Sequence, residues 1–147
     1  MQAVGLDAAI NEYAERFTQR YGIRVTTHTP TTPTPRLDPG VEMTLLRIAQ
    51  EALTNIAKHS QATQAVMTLE MENIAVLMTI EDNGQGILSW QKVNQPGSHG
   101  LRIMRERAEA FGGSLKVHST YKNGTTIEVK IPLANSLPNK GRKEKKS

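Results

Sequence analysis

The chain has 147 residues, which suits a single domain with enough core to fold alone, and its lack of cysteine excludes a disulfide framework and a thiolate metal site. No apolar run approaches the roughly 20 residues needed to span a bilayer, and the N-terminus lacks the basic flank and apolar stretch of a signal peptide. We therefore expect a cytoplasmic chain that makes no membrane contact.

The net charge of +4 comes entirely from the C-terminus. The last eight residues, KGRKEKKS, hold five basic side chains and one acidic one, whereas the other 139 residues hold 13 of each sign. A basic run of this kind is more often a solvated, disordered tail than a binding arm. We expect a domain over residues 1–133, a disordered basic tail over residues 134–147, and no nucleic-acid partner.

The first predicted elements are a helix and a strand. Apolar residues between Leu6 and Tyr21 recur at helical spacing, and Gly22 follows where a helix C-cap is expected. Residues alternate from Ile23 to Thr27 as they do in a strand. The next stretch, THTPTTPTPRLDPG, is rich in threonine and proline and is typical of a connecting loop.

A long central helix is predicted next. Asp38 followed by Pro39 supplies an N-cap acceptor and a proline at the first helical position, and the helix should run to about His59 or Ser60. One face carries apolar residues at helical spacing, namely Val41, Leu45, Ile48, Ala52 and Ile56. A polar ridge borders that face and consists of Glu51, Asn55 and His59. Polar groups at such an edge either cap neighbouring backbone, face solvent after a rotation of the helix, or bind a ligand.

The C-terminal half predicts two pairs of strands separated by a helix. Residues 65–71 and 74–80 alternate as in a β-hairpin. A helix from about Leu101 to Phe111 ends at Gly112-Gly113, and strands near residues 115–117 and 127–131 are joined through a turn at Asn123-Gly124. The predicted fold is an α+β two-layer sandwich, with a mixed, mostly antiparallel sheet of about five strands and three helices on one face.

The stretch EDNGQGI, residues 81–87, places a carboxylate where a buried strand opens into a glycine-rich loop. Glycine lets backbone approach a ligand closely and present its N–H groups. Gly97-Ser98-His99-Gly100 opens directly into a helix, and loop amides together with a helix N-terminus make a good phosphate site. An asparagine and phosphate oxygens can complete a magnesium shell. Asp82, Asn55 and Glu51 across one cleft therefore indicate a nucleotide with Mg²⁺, although the chain has neither a P-loop nor a G-x-G-x-x-G fingerprint.

Four motifs, in order, resemble those of the catalytic ATP-binding domain of sensor histidine kinases, within the GHKL or Bergerat-fold ATPases. LLRIAQEALTNIAKHS is similar to the N box, EDNGQGI to the G1 box, GSHGLRIMRERAEAFGGSLKV to the G2 box with its helix, and NGTTIEVKIP to the final glycine–threonine box. The forms E-A-L-T-N-I-x-K-H-S and G-L-x-x-M-R-E-R are most similar to the nitrate/nitrite-sensor subfamily. The resemblance covers roughly Leu6 to Leu133.

The resemblance implies a role for each matching residue. Asn55 would ligate Mg²⁺ on the ATP phosphates, and Glu51 would act as a general base or orient a water. Asp82 would accept a hydrogen bond from the adenine amino group, supported by Thr125 or Thr126. The other implied nucleotide contacts are Lys58, His59, Gly84, Gly86, Gly97, His99, Gly100 and Leu101.

Two features depart from the family pattern. Residues 88–96 are short for an ATP lid and contain no phenylalanine box, although short lids are usual in this subfamily. No histidine lies in a helical phosphoacceptor motif, the four being His28, His59, His99 and His118. The resemblance therefore implies a detached C-terminal piece of a longer, parent kinase. Its expected partners are a histidine-containing dimerisation domain and a response regulator.

Oligomeric state and location follow from the resemblance in the same way. The isolated domain is expected to be monomeric and the parent kinase homodimeric, and family habit implies membrane attachment for the parent. Two other functions use this kind of pocket: an anti-sigma-factor serine kinase and a nucleotide-sensing module without catalysis. The G-L-x-x-M-R-E-R helix favours the histidine kinase over the first, and the retained Glu51 and Asn55 argue against the second.

Overall fold

The computed structural model describes residues 5–30, 36–72, 74–85, 100–119 and 124–133, apart from the side chains of residues 59, 60, 100 and 101. The first helix, α1 (Leu6–Tyr21), ends as predicted at Gly22, which adopts the left-handed conformation with φ 73°. Strand β1 (Arg24–His28) follows it. The predicted lid at residues 88–96 and the basic tail at residues 134–147 lie outside the described residues.

The central helix α2 (Pro39–Asn55) begins where its sequence predicts. The Oδ1 atom of Asp38 accepts a hydrogen bond from the Gly40 N–H at 2.8 Å, so the N-cap is satisfied. The predicted apolar face is buried, since every one of its members is in the core: Val41, Leu45, Ile48, Ala52 and Ile56. The helix does reach Ser60, but its last part is a π-helical turn (Ile56–Ser60). Such turns are wider than an α-helix and rare in proteins, and those that occur are frequently at functional sites.

Five strands form one sheet in the order β1-β2-β3-β5-β4. Strands β2 (Gln64–Met71) and β3 (Ala75–Asp82) form the predicted antiparallel hairpin, and β4 (Ser114–Ser119) pairs antiparallel with β5 (Thr125–Pro132). Strand β3 pairs antiparallel with β5, whereas β1 pairs with β2 in parallel. The sheet is therefore mixed and mostly antiparallel, as predicted.

Three helices bury one face of this sheet. Helix α1 packs on β1, α2 on β3, and α3 (Gly100–Ala110) on β4 and β5. The covered face contributes alternate residues of β3 and β5 to the core, namely Val76, Met78, Ile80, Ile127, Val129 and Ile131. This two-layer arrangement confirms the predicted α+β sandwich. Within the described ranges, none of the helices has the length and apolar character that crossing a membrane requires.

The topology brings several strand and helix ends together along one side of the sheet, where the strands begin or end. This side is here called the site edge and is marked by the strand-end residues Gln64, Asp82 and Thr125. Strand β3 ends there at Asp82, which pairs with the first residue of β5, Thr125. Residues 61–63 join the π-helical turn directly to Gln64, so the end of α2 also lies at this edge. Helix α3 runs back along β4, where Arg105 Nε donates to the Leu115 carbonyl at 3.2 Å, so the N-terminus of α3 points towards the site edge.

Candidate functional site

Asp82 is buried at the end of β3 with one carboxylate oxygen satisfied and the other without a partner. The residue is 9 % exposed. Its Oδ1 atom accepts a hydrogen bond from the Gly84 N–H at 2.7 Å, which closes the turn after the strand. Its Oδ2 atom is buried and has no hydrogen-bond partner among the described residues. A buried acceptor without a partner destabilises the fold. The Oδ2 atom is therefore suited to accept a hydrogen bond from a donor on a bound ligand.

The surroundings of Asp82 disfavour its charge. Burial raises the pKa of this carboxyl above its usual range, and the hydrogen bond from the Gly84 N–H opposes the rise without cancelling it. The ionised carboxylate is therefore less well solvated here than in the unfolded chain. A donor on a bound ligand would compensate part of that lost solvation, which couples ligand binding to the charge of this group.

Thr125 continues the polar row from β3 onto β5. It is the register partner of Asp82, it is 3 % exposed, and its Oγ1 lies 3.0 Å from the Ser119 Oγ of β4. Thr126 is paired with Glu81 and lies on the opposite face of the sheet, because successive strand residues alternate between faces. The structure thus brings Thr125 and Asp82 together and leaves Thr126 apart from them.

Gly124 makes a close contact that the sequence does not reveal. Its φ is +83°, and a Cβ atom built on it would lie 2.0 Å from the carbonyl oxygen of Asp82. Any side chain at this position would push the start of β5 away from the end of β3. The sequence indicates a turn at Asn123-Gly124, but a turn glycine and a close-approach glycine give the same signal.

Asn55, the last residue of α2, is the second buried polar residue with an unpaired atom. It is 8 % exposed, and its Nδ2 atom is buried without a hydrogen-bond partner in the described part of the chain. Rotation of the amide by half a turn exchanges nitrogen and oxygen, so the same position can donate to a phosphate oxygen or offer an oxygen to a cation. Glu51 lies one turn earlier on the same side of the helix and is half-buried.

The remaining predicted site residues are distributed around this edge or fall outside the description. Gly84 is half-buried in the turn after β3, and Lys58 is exposed on the π-helical turn. His59 lies on the same turn, and Gly100 and Leu101 are the first two residues of α3, but their side chains are not described. Gly86, Gly97 and His99 lie outside the described residues.

The donors and acceptors at the site edge fit a nucleotide with a divalent cation. Asp82 Oδ2 requires a donor such as the exocyclic amino group of a purine, and the Asn55 amide suits phosphate or Mg²⁺. The N-terminus of α3 directs the positive end of a helix dipole towards the same edge, where phosphate charge would be stabilised. Within the described residues, no three His, Cys, Asp or Glu side chains form a group that could hold a metal ion.

A separate groove of about 790 Å³ runs between α1 and β1. Polar side chains line much of it, including Asn11, Glu15 and Thr18. It contains neither of the two unpaired buried atoms, Asp82 Oδ2 and Asn55 Nδ2. The chemistry therefore favours the site edge as the candidate site, although the groove is a substantial opening.

The chain belongs to the histidine kinase-, DNA gyrase B- and HSP90-like ATPases, whose family model matches residues 40–135. Its relatives include the sensor histidine kinase LiaS of Bacillus subtilis (strain 168), 34% identical over 135 residues that cover 90% of this chain and 36% of LiaS. The oxygen sensor histidine kinase NreB of Staphylococcus carnosus (strain TM300) is 31% identical over 132 residues, which cover 88% of this chain and 37% of NreB. The chain thus spans about a third of the length of these two relatives.

Solved structures show the same fold. The histidine kinase domain from the Erythrobacter litoralis EL346 blue-light activated histidine kinase superposes with a TM-score of 0.69 and 26% identity, over 89% of this chain and 62% of that chain. The histidine kinase AdeS of Acinetobacter baumannii, at 17% identity and a TM-score of 0.65 over 87% of this chain and 63% of that one, supports the fold alone. The predicted resemblance to the ATP-binding domain of sensor histidine kinases is confirmed.

Replacing Asp82 with asparagine should stabilise the ligand-free domain at neutral pH. Because the pKa of Asp82 is raised in the folded chain, the folded state binds the proton more tightly than the unfolded state. The free energy of unfolding therefore falls as pH rises from the ordinary aspartate pKa to the raised folded value. Asparagine can still accept the Gly84 hydrogen bond, and it carries no charge to bury.

Urea unfolding of wild type and Asp82→Asn across that pH window measures the effect. The difference in unfolding free energy should grow with pH through the window and then stay constant. Glu81→Gln, at the exposed neighbouring position, is the matched control and should show little change. A mutant that is less stable than wild type above the window and equal to it below would show that the ionised carboxylate is stabilised in the folded domain.

Proposed function

We propose that this chain is the ATP-binding catalytic domain of a two-component sensor histidine kinase. It binds Mg-ATP and transfers the γ-phosphoryl group to a histidine on a separate dimerisation domain. The observation that carries the proposal is the pair of unpaired buried atoms, Asp82 Oδ2 and Asn55 Nδ2, at one edge of a sheet of this ATPase family. The names of the relatives, LiaS and NreB, both sensor histidine kinases, support the same class.

The adenine end of the site is proposed at Asp82. The Oδ2 atom accepts a hydrogen bond from the 6-amino group, while Oδ1 stays bonded to the Gly84 N–H and holds the carboxylate in place. Thr125 supports the same end from β5. An ionised carboxylate donates no hydrogen bond, and guanine carries a carbonyl oxygen at its six-position. The site should therefore prefer ATP to GTP.

The phosphate end is proposed at the end of α2 and the start of α3. Asn55 would hold Mg²⁺ through its amide oxygen, and the bound cation would neutralise phosphate charge during transfer. Lys58 and His59 flank the phosphates from the π-helical turn. The family resemblance implies further phosphate-side contacts from Gly97, His99, Gly100 and Leu101, and a pocket wall shaped by Gly84 and Gly86.

The transfer breaks the bond between the γ-phosphorus and its bridging oxygen and forms a bond from phosphorus to a ring nitrogen of the acceptor histidine. Glu51, half-buried one turn before Asn55, is the proposed base that takes the proton from that ring. Phosphoryl transfer of this kind depends mainly on positioning and on charge stabilisation. The chain's own part is therefore to hold the nucleotide and to accept the proton.

The proposed partners are the dimerisation domain of the parent kinase and the response regulator that receives the phosphoryl group. In this proposal the catalytic domain comprises residues 1–133 and acts in the cytoplasm, without contact to nucleic acid or membrane. The isolated domain is monomeric, and the parent kinase is a homodimer. An anti-sigma-factor serine kinase is not favoured, because the relatives reported above are sensor histidine kinases.

Asp82→Asn should weaken ATP binding and narrow the preference for ATP over GTP. A hydrogen bond to a charged group contributes about 1.5–3 kcal/mol, so ATP affinity should fall roughly 10- to 150-fold. GTP affinity should change less, because an amide can turn to face either base. Titration of both proteins with both nucleotides tests this, with Glu81→Gln as the exposed control. A folded mutant with unchanged ATP affinity and unchanged preference for ATP over GTP would show that Asp82 only stabilises the turn after β3.

The chain alone should bind ATP without becoming phosphorylated, because none of its histidines lies in a helical phosphoacceptor motif. Incubation with γ-labelled ATP should label a separately expressed dimerisation domain of the parent kinase, and the label should be acid-labile as expected for phosphohistidine. Glu51→Gln should slow this transfer while ATP affinity is retained. Acid-stable label on serine, or strong label on the lone chain, would contradict the proposal.

A further inference from the structure

Asn83, the residue after Asp82, connects the end of β3 to the segment that leaves α2. Its Oδ1 atom accepts hydrogen bonds from the backbone N–H groups of Thr63 at 2.9 Å and of Gln64 at 3.1 Å. Its Nδ2 atom donates to Thr63 Oγ1 at 2.9 Å. These three contacts, here called the Asn83 tie, join groups that are 19 or 20 residues apart in the chain.

A second contact joins the same two segments. Gln85 Nε2 donates to Gln61 Oε1 at 2.7 Å. Gln61 has a φ of 58°, an uncommon conformation for a residue other than glycine, and it directly follows the π-helical turn Ile56–Ser60. The chain therefore leaves α2 through two unusual backbone conformations. Side-chain contacts hold this path in place together with two backbone hydrogen bonds, from the Asn83 N–H to the Gln64 carbonyl at 3.3 Å and from the Arg24 N–H to the Thr63 carbonyl at 3.1 Å.

The Asn83 tie lies between the two halves of the candidate site. Asn55 precedes the joined segment 61–63 by one π-helical turn, and Asp82 immediately precedes Asn83. The unpaired atoms of Asn55 and Asp82 belong to different elements, a helix and a strand. Their separation therefore depends on how the end of α2 is fixed against the end of β3. The Asn83 side chain makes three of the hydrogen bonds that fix it, and its backbone N–H makes a fourth, to the Gln64 carbonyl.

We propose that Asn83 is a positioning residue that holds the magnesium end of the site at a set distance from the adenine end. The inference rests on the proposed function, since it takes Asn55 as the metal end and Asp82 as the base end. With the tie formed, a nucleotide seated on Asp82 presents its phosphates to Asn55 in one geometry, so that base and metal contacts reinforce each other. Without the tie, each end keeps its chemistry but the two can shift apart.

The proposal predicts a particular change in binding. Asn83 itself is exposed and is not one of the two buried residues with unpaired atoms. A residue that merely stabilised the fold would, when lost, lower stability and weaken binding equally with and without magnesium. Loss of a positioning residue should instead reduce the magnesium effect, defined as the ratio of the ATP dissociation constant in EDTA to that in excess Mg²⁺.

Calorimetric titration of the full chain with ATP under both conditions measures the magnesium effect. Asn83→Ala removes the whole tie, whereas Asn83→Asp keeps an acceptor for both backbone N–H groups and replaces the donor to Thr63 Oγ1 with a charged acceptor, to which the Thr63 hydroxyl can itself donate. Asn55→Ala removes the proposed metal ligand and defines the lower limit of the effect. Asn11→Ala, which removes the asparagine side chain that accepts from Thr27 on β1, is the matched control.

Asn83→Ala should lower the magnesium effect about fivefold or more, while ATP affinity in EDTA stays within about threefold of wild type. Asn83→Asp and Asn11→Ala should each stay within about twofold. Amide hydrogen exchange without nucleotide gives an independent readout. The Thr63 and Gln64 amides should exchange faster in Asn83→Ala and at the wild-type rate in Asn83→Asp.

Three results would overturn the positioning role. The first is a folded Asn83→Ala protein in which the Thr63 and Gln64 amide hydrogens exchange faster but the magnesium effect equals that of wild type. The second is an equal loss of affinity with and without Mg²⁺, and the third is unchanged exchange at both amides. If wild type shows no magnesium effect, or Asn55→Ala preserves it, the proposed metal site fails and the role of Asn83 fails with it. If both behave as proposed, a negative result concerns Asn83 alone.

Discussion

The site depends on a carboxylate that the fold buries and only half satisfies. One oxygen of Asp82 accepts a hydrogen bond from the Gly84 N–H, and the other has no donor in the described part of the chain. The bonded oxygen fixes the orientation of the group, and the unpaired oxygen is the proposed acceptor for a ligand donor. Burial raises the pKa of this carboxyl, so the free domain carries a destabilising charge that a ligand donor would relieve. The residue proposed to recognise the ligand thus lowers the stability of the free domain, as is common at functional sites.

The rest of the fold holds partners around that carboxylate. The antiparallel pairing of β3 with β5 brings Thr125 opposite Asp82, and Gly124 lets β5 begin in contact with the Asp82 carbonyl. The hairpin of β2 and β3 returns the chain to the same edge, where Asn83 meets the segment that leaves α2. Asn55 reaches the edge because α2 is long, buried along one face, and packed on β3. Sheet order, rather than any single loop, therefore assembles the site.

Features set by local chemistry could be predicted from the sequence. Asp38-Pro39 and Gly22 mark helix ends because an N-cap acceptor and a left-handed glycine act on the residues beside them. The alternation of residues predicts strands β2 and β3 and the buried face of each. The apolar face of α2 predicts that helix and its buried side. Motif and periodicity predict Asp82 and Asn55 as site residues, and the structure adds that each has an unpaired buried atom.

Features that depend on distant pairing could not be predicted in the same way. The choice between Thr125 and Thr126 needs the register of β5 against β3, which decides the face of the sheet. The contact of Gly124 with Asp82 and the tie from Asn83 to Thr63 join residues far apart in sequence. The apolar periodicity of α2 continues unbroken to Ile56, so it gives no signal that the helix changes to a π-helical turn after Asn55.

The most direct test is a crystal structure of the chain with Mg²⁺ and a non-hydrolysable ATP analogue. We expect the adenine amino nitrogen at about 2.7–3.2 Å from Asp82 Oδ2, with the Gly84 hydrogen bond retained. We also expect the Asn55 amide oxygen at about 2.0–2.1 Å from the magnesium ion. An analogue bound with its base away from Asp82, or a magnesium ion held without Asn55, would contradict the assignment of Asp82 Oδ2 to the base and of the Asn55 amide to the metal.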